Sequence, residues 1–183
     1  GAVYRRIYCR LDTVGYARSL GVKVGDNVHF YGSYANMFSS EPWLISIGSN
    51  VHVAAETRFI THDGGTIILK DDFPDYVLTG NIEIGNDVYI GIRAVILPGV
   101  KIGNRCIIGS CALVTKDIPD NSVAVGVPAK VTGTVDNYIK KIKEAEAGKN
   151  PRYYADLEYM HSLNPNKKTS RSEEHTSELQ SRV

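Results

Sequence analysis

The chain has 183 residues, 43% of them hydrophobic and 22% charged, with a formal net charge of +1 at pH 7. This size predicts one domain, and the near-neutral charge indicates neither a nucleic-acid nor a membrane partner. No run of about 18 apolar residues is present, so no transmembrane helix is expected. Three cysteines, Cys9, Cys106 and Cys111, lack metal-ligand spacing. We interpret them as free, buried thiols of a cytoplasmic protein.

Residues 1–21 are predicted to form an N-terminal helical cap. The first part has an apolar stripe at helical spacing, and a second part begins near Thr13 and ends before Gly21. The stripe consists of Tyr4, Ile7, Tyr8 and Leu11. Covering the open end of the following domain is the expected role of this segment.

Residues 22–133 follow a period of six, which is loose at first and strict over residues 84–118. The strict blocks read IGNDVY, IGIRAV, ILPGVK, IGNRCI, IGSCAL and VTKDIP. Each block opens with an aliphatic residue, and four of the six have Gly second. A helix repeats its apolar residues at i, i+3, i+4 and i+7 and a strand alternates, so a strict six fits neither alone.

The period predicts very short strands separated by tight turns, with three strands to a triangular coil of eighteen residues. Stacked coils would pair their backbones about 4.8 Å apart. Their aliphatic residues would superpose in one continuous core, and Cys106 should point into it. The Gly after the aliphatic residue suits a sharp corner because Gly tolerates positive φ.

Two segments interrupt the period. The first is residues 34–43, and the longer is residues 63–80, which contain GG, DD and Pro74 and read as too polar and irregular for a coil. A loop of this length in a compact domain is usually functional or disordered. After Val114 the sequence TKDIPDNSVAVGVPAKV is expected to close the stack, with Val125 and Val131 restoring the spacing of six.

Residues 134–163 are predicted to form C-terminal helices. The first runs from Val135 to about Ala147, and a second spans residues 153–161. Residues 164–183 read as a disordered tail. Within it, RSEEHTSELQS at 171–181 resembles a translated sequencing adapter, and we interpret it as an assembly artefact.

His62 is the candidate catalytic residue. It lies in FITHDGG, where the regular repeat stops and the long loop begins. Imidazole has an unperturbed pKa of about 6.5, so it can remove a hydroxyl proton at neutral pH. On the residues alone, a His before DGG is more often a turn residue. His52 is expected at an outer coil position, and no His pair has the short spacing of a zinc site.

The blocks at 22–133 and the FITHDGGT motif resemble the hexapeptide-repeat acyltransferases, whose fold is a left-handed parallel β-helix. The left-handedness is implied by the resemblance alone, because the general rule for crossovers between parallel strands favours a right-handed connection. The sequence looks most like sugar O-acetyltransferases of polysaccharide biosynthesis and, more distantly, galactoside, maltose and xenobiotic acetyltransferases. The resemblance implies an all-β-dominated homotrimer with active sites between subunits. It also implies His62 as general base, with no covalent intermediate.

Acetyl-CoA is the donor that the resemblance implies, lying along the coils in the groove between two subunits. The backbone N–H of Ile92 is expected to stabilise the oxyanion. Lys130 stands where galactoside acetyltransferases have an Arg, so it keeps the charge and loses the bidentate fork. The positions expected to contact the donor are Gly91, Ser110, Thr115, Lys116 and Lys130. Solvated surface charge is the competing interpretation for Lys116 and Lys130.

The acceptor pocket is expected near residues 34–43 and the long loop. Trp43 or Tyr34 would stack on a sugar face, and Glu41 or Asp63 would accept hydrogen bonds from hydroxyl groups. Packing at a coil corner explains the aromatic residues equally well. Asn36 belongs to a YAN sequence that echoes a family motif at a different distance from His62.

The predicted function is acetyl-CoA-dependent O-acetylation of a sugar or glycan precursor, without a metal. Three alternatives stay open: an N-acetyltransferase of an amino-sugar nucleotide, a xenobiotic acetyltransferase, and a non-catalytic β-helix scaffold. The sequence separates the O- and N-acetyltransferases poorly, because the same base would serve an amine.

Overall fold

The computed structural model describes residues 12–32 and 36–147, and short parallel strands dominate it. Three parallel sheets form the faces of a coil stack. Sheet A contains β1 (Lys23–Val24), β3 (Ile45–Ile47), β8 (Ile82–Ile84) and β11 (Lys101–Ile102). Sheet B contains β2 (His29–Phe30), β4 (His52–Val53), β9 (Tyr89–Ile90), β12 (Ile107–Ile108) and β14 (Ser122–Val125). Sheet C contains β5 (Arg58–Phe59), β10 (Val95–Ile96) and β13 (Leu113–Val114).

The chain visits the three sheets in the order A, B, C and then returns to A one coil further on. Ile84 pairs with Ile102 and Ile96 pairs with Val114, a separation of 18 residues in both cases. The eighteen-residue coil predicted from the period of six is therefore confirmed. Earlier coils differ only by insertions, since Phe59 pairs with Ile96 across the long loop.

The core is a column of inward-facing residues at the repeat positions. Ile90, Ile96, Ile102, Ile108 and Val114 all have 0% of their surface exposed. Cys106 is 1% exposed, which confirms its predicted place in the core. The predicted burial is wrong for Cys111, which lies exposed at a corner of the coil. Alternation along each short strand puts the neighbouring residues on the outer faces of the prism.

The corners differ from the sequence prediction. Positive φ occurs at Asp87, Arg93, Arg105 and Cys111, two residues after the block glycines, and the glycines do not adopt it. The glycines are required for close approach instead, because added Cβ atoms at all four would collide with the next coil. These four are Gly85, Gly91, Gly103 and Gly109.

The long loop is more ordered and more apolar than predicted. Its base is an antiparallel pair, β6 (His62–Asp63) with β7 (Leu78–Thr79), and a 3₁₀ helix spans Gly64–Leu69. Several large apolar side chains of the loop face solvent in the single chain. They are Ile67, Ile68, Leu69, Phe73, Tyr76, Val77 and Leu78.

The ends of the stack are partly described. Helix α1 (Thr13–Ser19) matches the second part of the predicted cap, and Asp12 accepts a hydrogen bond from the Gly15 amide at its start. Residues 1–11 lie outside the described part, as do the predicted second C-terminal helix and the tail. Helix α2 (Val135–Glu146) is the first predicted C-terminal helix. No helix in the described ranges has the length and apolar character needed to cross a bilayer.

The closure of the stack corrects one prediction. Strand β15 (Lys130–Thr134) runs antiparallel to β14, so Val131 does not begin another coil. Val125 and Val131 are 40% and 46% exposed, and Ala124 takes the inward position. The chain divides into two units, Gly1–Tyr138, which contains every coil, and Ile139–Val183, whose described part is the remainder of α2.

Candidate active site

His62 lies on the prism edge where the chain passes from sheet C to sheet A, which we call the C–A edge. Strand β5 ends at Phe59, and three residues later His62 opens the hairpin of the long loop. The side chain of His62 is 33% exposed. The imidazole therefore sits on a rigid strand end, partly covered and open to solvent on one side.

Glu41 is the main partner of His62. The Glu41 Oε2 atom lies 2.8 Å from His62 Nδ1, and the hydroxyl of the buried Thr61 donates to the same oxygen at 2.7 Å. Ser39 Oγ lies further away, 3.4 Å from Nδ1. A carboxylate accepts hydrogen bonds only, so this geometry assigns the proton to Nδ1 and leaves Nε2 as the acceptor nitrogen.

The ionisation of Glu41 follows from these contacts. Burial acts to raise the pKa of the Glu41 carboxyl, but the hydrogen bonds from Thr61 and His62 and the charge of His62 outweigh it. The pKa of Glu41 therefore lies below its ordinary value. At neutral pH the imidazole faces a carboxylate anion.

Sequence reasoning assigned Glu41 to the acceptor and missed its contact with His62. The pairing that explains this contact is seen in the structure. Phe38 bridges to Phe59 in sheet C, so Glu41, three residues after Phe38, lies one coil below His62, three residues after Phe59. The insertion at 34–43 hides this register when the chain is read only in blocks of six.

The residues predicted to bind the donor fall on two different edges. Thr115 and Lys116 follow β13 and lie exposed on the C–A edge, on the same edge as His62. The others lie on or next to the edge between sheets B and C, which we call the B–C edge. They are Gly91, Ile92, Ser110 and Lys130.

The backbone N–H of Ile92 differs from the amides on either side of it in its hydrogen bonding. Its carbonyl accepts a hydrogen bond from the Cys111 amide, and the neighbouring Gly91 and Arg93 amides bond to adjacent coils. Within the described part of the chain, no acceptor takes a hydrogen bond from the Ile92 N–H. Ile92 as a whole residue is 41% exposed.

One chain does not bring His62 and Ile92 together. The width of sheet C separates their two edges, about 15 Å for five extended residues. Any site that uses both residues must combine the C–A edge of one chain with the B–C edge of another.

The candidate acceptor residues divide in the same way. Trp43, 59% exposed, and Asp63 lie on the C–A edge beside Glu41 and His62. Asp63 also caps the 3₁₀ helix of the loop by accepting a hydrogen bond from the Gly65 amide. Asn36 lies on the other side of sheet C, where its carbonyl accepts a hydrogen bond from Arg58. Tyr34 lies outside the described residues.

The other described histidines stand apart from His62. His29 and His52 are in register on the outer face of sheet B, which confirms the outer position predicted for His52. Across residues 12–32 and 36–147 there is no group of three His, Cys, Asp or Glu side chains arranged to hold a metal ion.

Comparisons with known proteins give a consistent family. Residues 81–116 match the family described as bacterial transferase hexapeptide (six repeats). Protein CapG of Staphylococcus aureus is 40% identical over 151 residues, which cover 82% of this chain and 81% of CapG. Galactoside O-acetyltransferase of Escherichia coli (strain K12) is 37% identical over 118 residues, which cover 62% of this chain and 57% of that protein.

Among solved structures, a hexapeptide-repeat acetyltransferase of Vibrio cholerae in complex with acetyl coenzyme A matches with a TM-score of 0.53 at 21% identity. The match covers 73% of this chain and 84% of that one. This likeness concerns the fold, and it implies the left hand for the β-helix.

Proposed function

Because the chain belongs to the bacterial hexapeptide transferase family, we propose that it acetylates a hydroxyl group of a sugar or glycan precursor, with His62 as general base. Relatives are named acetyltransferases, and one solved neighbour holds acetyl-CoA. The chain is an acetyltransferase with acetyl-CoA as donor. The observation that carries the assignment of the base is the contact of His62 Nδ1 with Glu41 at 2.8 Å, which leaves Nε2 able to accept a proton.

His62 would act twice in one direct transfer. Nε2 takes the proton of the acceptor hydroxyl as its oxygen attacks the thioester carbon. The Ile92 N–H of a neighbouring chain stabilises the negative charge that develops on the carbonyl oxygen. When the carbon–sulfur bond breaks, the imidazolium returns the proton to the CoA sulfur, and the base is regenerated.

The donor would lie between two chains. Gly91 and Ser110 would border the pantetheine arm on one chain, and Thr115 and Lys116 would border it on the other. The exposed ammonium groups of Lys116 and Lys130 suit the phosphates of CoA. Acetyl-CoA as donor favours a cytoplasmic place of action.

We place the active sites between the subunits of a homotrimer. Two features support this: the separation of His62 and Ile92 on different edges, and the apolar side chains that the long loop exposes in the single chain. Ile68 is 84% exposed, and burying such an apolar side chain against a neighbouring chain would stabilise the assembly. A closed ring of three chains would join every C–A edge to a B–C edge.

The acceptor would bind at the C–A edge, with Trp43 as the stacking residue and Asp63 as a polar contact. Asn36 would contribute from the neighbouring chain, and a contact of Tyr34 with the sugar stays a prediction from the sequence. A role in polysaccharide biosynthesis follows from this proposal. A panel of hydroxyl sugars and amino sugars, each incubated with acetyl-CoA, distinguishes O- from N-acetylation.

Replacement of His62 by Ala tests the assignment of the base. We expect the release of CoA thiol to fall by about 100-fold or more, because a positioned base contributes about 10²–10⁴-fold. The matched control is His52→Gln, which removes an imidazole from the outer face of sheet B and should retain turnover. Full turnover of folded His62→Ala protein would contradict the assignment.

A further inference from the structure

Thr61 and Glu41 form a second layer behind His62. One oxygen, Glu41 Oε2, accepts both the Thr61 hydroxyl at 2.7 Å and His62 Nδ1 at 2.8 Å. Successive residues of an extended segment point to opposite sides, so Thr61 faces the interior at 0% exposure while His62 faces outward. The Glu41 carboxylate therefore accepts one hydrogen bond from Thr61 inside the coil and one from the His62 imidazole outside it.

We propose that Glu41 and Thr61 are positioning residues: Glu41 keeps His62 in the tautomer protonated on Nδ1, and Thr61 fixes Glu41. This inference rests on the proposed function, because it requires His62 to be the base. In that tautomer the lone pair of Nε2 faces the acceptor. The carboxylate also stabilises the imidazolium that forms when the proton is taken up.

Core packing alone would not require two hydrogen bonds to the same oxygen, Glu41 Oε2. A flexible Glu side chain would lose its preferred rotamer without a second contact, and the Thr61 hydroxyl supplies that contact from a fixed backbone position. Removal of the Thr61 hydroxyl should loosen Glu41, and the effect should reach His62 although Thr61 never touches the imidazole.

Thr57 provides a matched comparison. It is also 0% exposed, but its hydroxyl donates to the backbone oxygens of Ala54 at 2.9 Å and Gly91 at 3.3 Å. Replacing Thr61 or Thr57 by Val removes one buried hydroxyl in each case, so Thr57→Val is the control for the tautomer of His62. Only the change at Thr61 removes a contact to the carboxylate that holds His62.

Kinetics of the full-length protein give the first readout, with acetyl-CoA and the best acceptor from the sugar panel. Thr61→Val should lower kcat about tenfold, the effect of one hydrogen bond worth about 1.4 kcal/mol. Glu41→Gln should lower kcat about 100-fold, because the base loses its orientation and its counter-charge. The KM for acetyl-CoA should not change in either variant, and the control His52→Gln should keep the wild-type kcat.

The tautomer of His62 gives the second readout and needs no acceptor. In protein labelled with ¹⁵N at its five histidines, the His62 signals are those that disappear in His62→Gln. At about pH 8 we expect a protonated Nδ1 and a bare Nε2 in wild type and Thr57→Val, and a mixture of tautomers in Glu41→Gln and Thr61→Val. Protonation of Nε2 in the wild type would overturn the proposal.

The outcomes separate the inference from the proposed function. If His62→Ala is inactive while Glu41→Gln and Thr61→Val keep the wild-type kcat and tautomer, the inference is wrong and the assignment of the base stands. If folded His62→Ala keeps full turnover, the proposed base fails and the inference falls with it.

Discussion

Gly85 shows how the neighbouring coil restricts the residue type at a single position. A Cβ atom at this position would lie 2.7 Å from the carbonyl carbon of Gly103, closer than nonbonded carbon atoms approach. The period of six predicts a glycine here, but the predicted reason, positive φ, is wrong. The distance between stacked backbones determines that this position requires glycine, and a single sequence does not contain that distance.

Replacing Gly85 by Ala should therefore destabilise the protein. We expect the free energy of unfolding to fall by about 1–3 kcal/mol, the usual effect of overpacking. Gly133→Ala is the control, because an added Cβ there would meet nothing within 4 Å. Denaturant unfolding of both variants measures the difference, and equal stabilities would show that the coils can separate at no cost.

The proposed base His62 and its partner Glu41 differ in how far the sequence reveals them. His62 could be proposed as the base because its FITHDGGT motif resembles that of the hexapeptide-repeat acyltransferases, whereas on the residues alone a His before DGG is more often a turn residue. The role of Glu41 depends on a contact across 21 residues, and its position relative to His62 follows only from the Phe38–Phe59 pairing. Insertions between coils conceal such pairings from a period-based reading.

At the scale of elements, strands β2 and β4 place two histidines side by side. The rings of His29 and His52 stack with centroids 4.8 Å apart and planes at 10°. Tyr31 Oη lies 2.9 Å from His52 Nδ1, and Asn27 Oδ1 lies 2.9 Å from His29 Nε2. Burial lowers the pKa of His52, and the charge of His29 lowers it further.

This lowered pKa predicts acid sensitivity of the first coils. The folded state favours neutral His52 over protonated His52. The stability that neutral His52 contributes is therefore complete above the unfolded-state pKa of about 6.5. The contribution is lost as the pH falls from there through the lower folded-state pKa. The titratable groups that face His52 are His29, Tyr31 and, in the next coil, Tyr89.

Thermal unfolding at about pH 8 and about pH 5.5 measures the effect. The fall in Tm between these values should be smaller in His52→Gln than in the wild type, because the substitution removes the titrating group. The carboxylates contribute equally to both proteins. The same fall in Tm in both would contradict the account of the stacked pair.

Elements with a strict repeat were predictable, and those without it were not. The coils after residue 84 follow from aliphatic spacing because one side chain per strand fills the core. The long loop carries exposed apolar residues such as Ile68, although its composition suggested a polar segment. The β14–β15 hairpin also escaped prediction, because Val131 keeps the spacing of six while its strand runs backwards.

Across the whole molecule, the candidate residues lie on two different edges of the prism. His62, Glu41 and Lys116 lie on the C–A edge, whereas Ile92 and Ser110 lie on the B–C edge. Sheet C keeps the edges about 15 Å apart, a distance that no side chain bridges. The account therefore requires that one chain supplies the base and a second chain supplies the oxyanion donor.

Mixing two inactive variants tests this requirement and the assignment of both edges together. His62→Ala removes the base, and Ser110→Trp should block the donor groove on the B–C edge. Each variant alone should be inactive, while co-refolded equal mixtures should recover about one quarter of wild-type turnover, because random assortment gives one site in four two intact edges. Mixed trimers that form and stay inactive would contradict the shared active site.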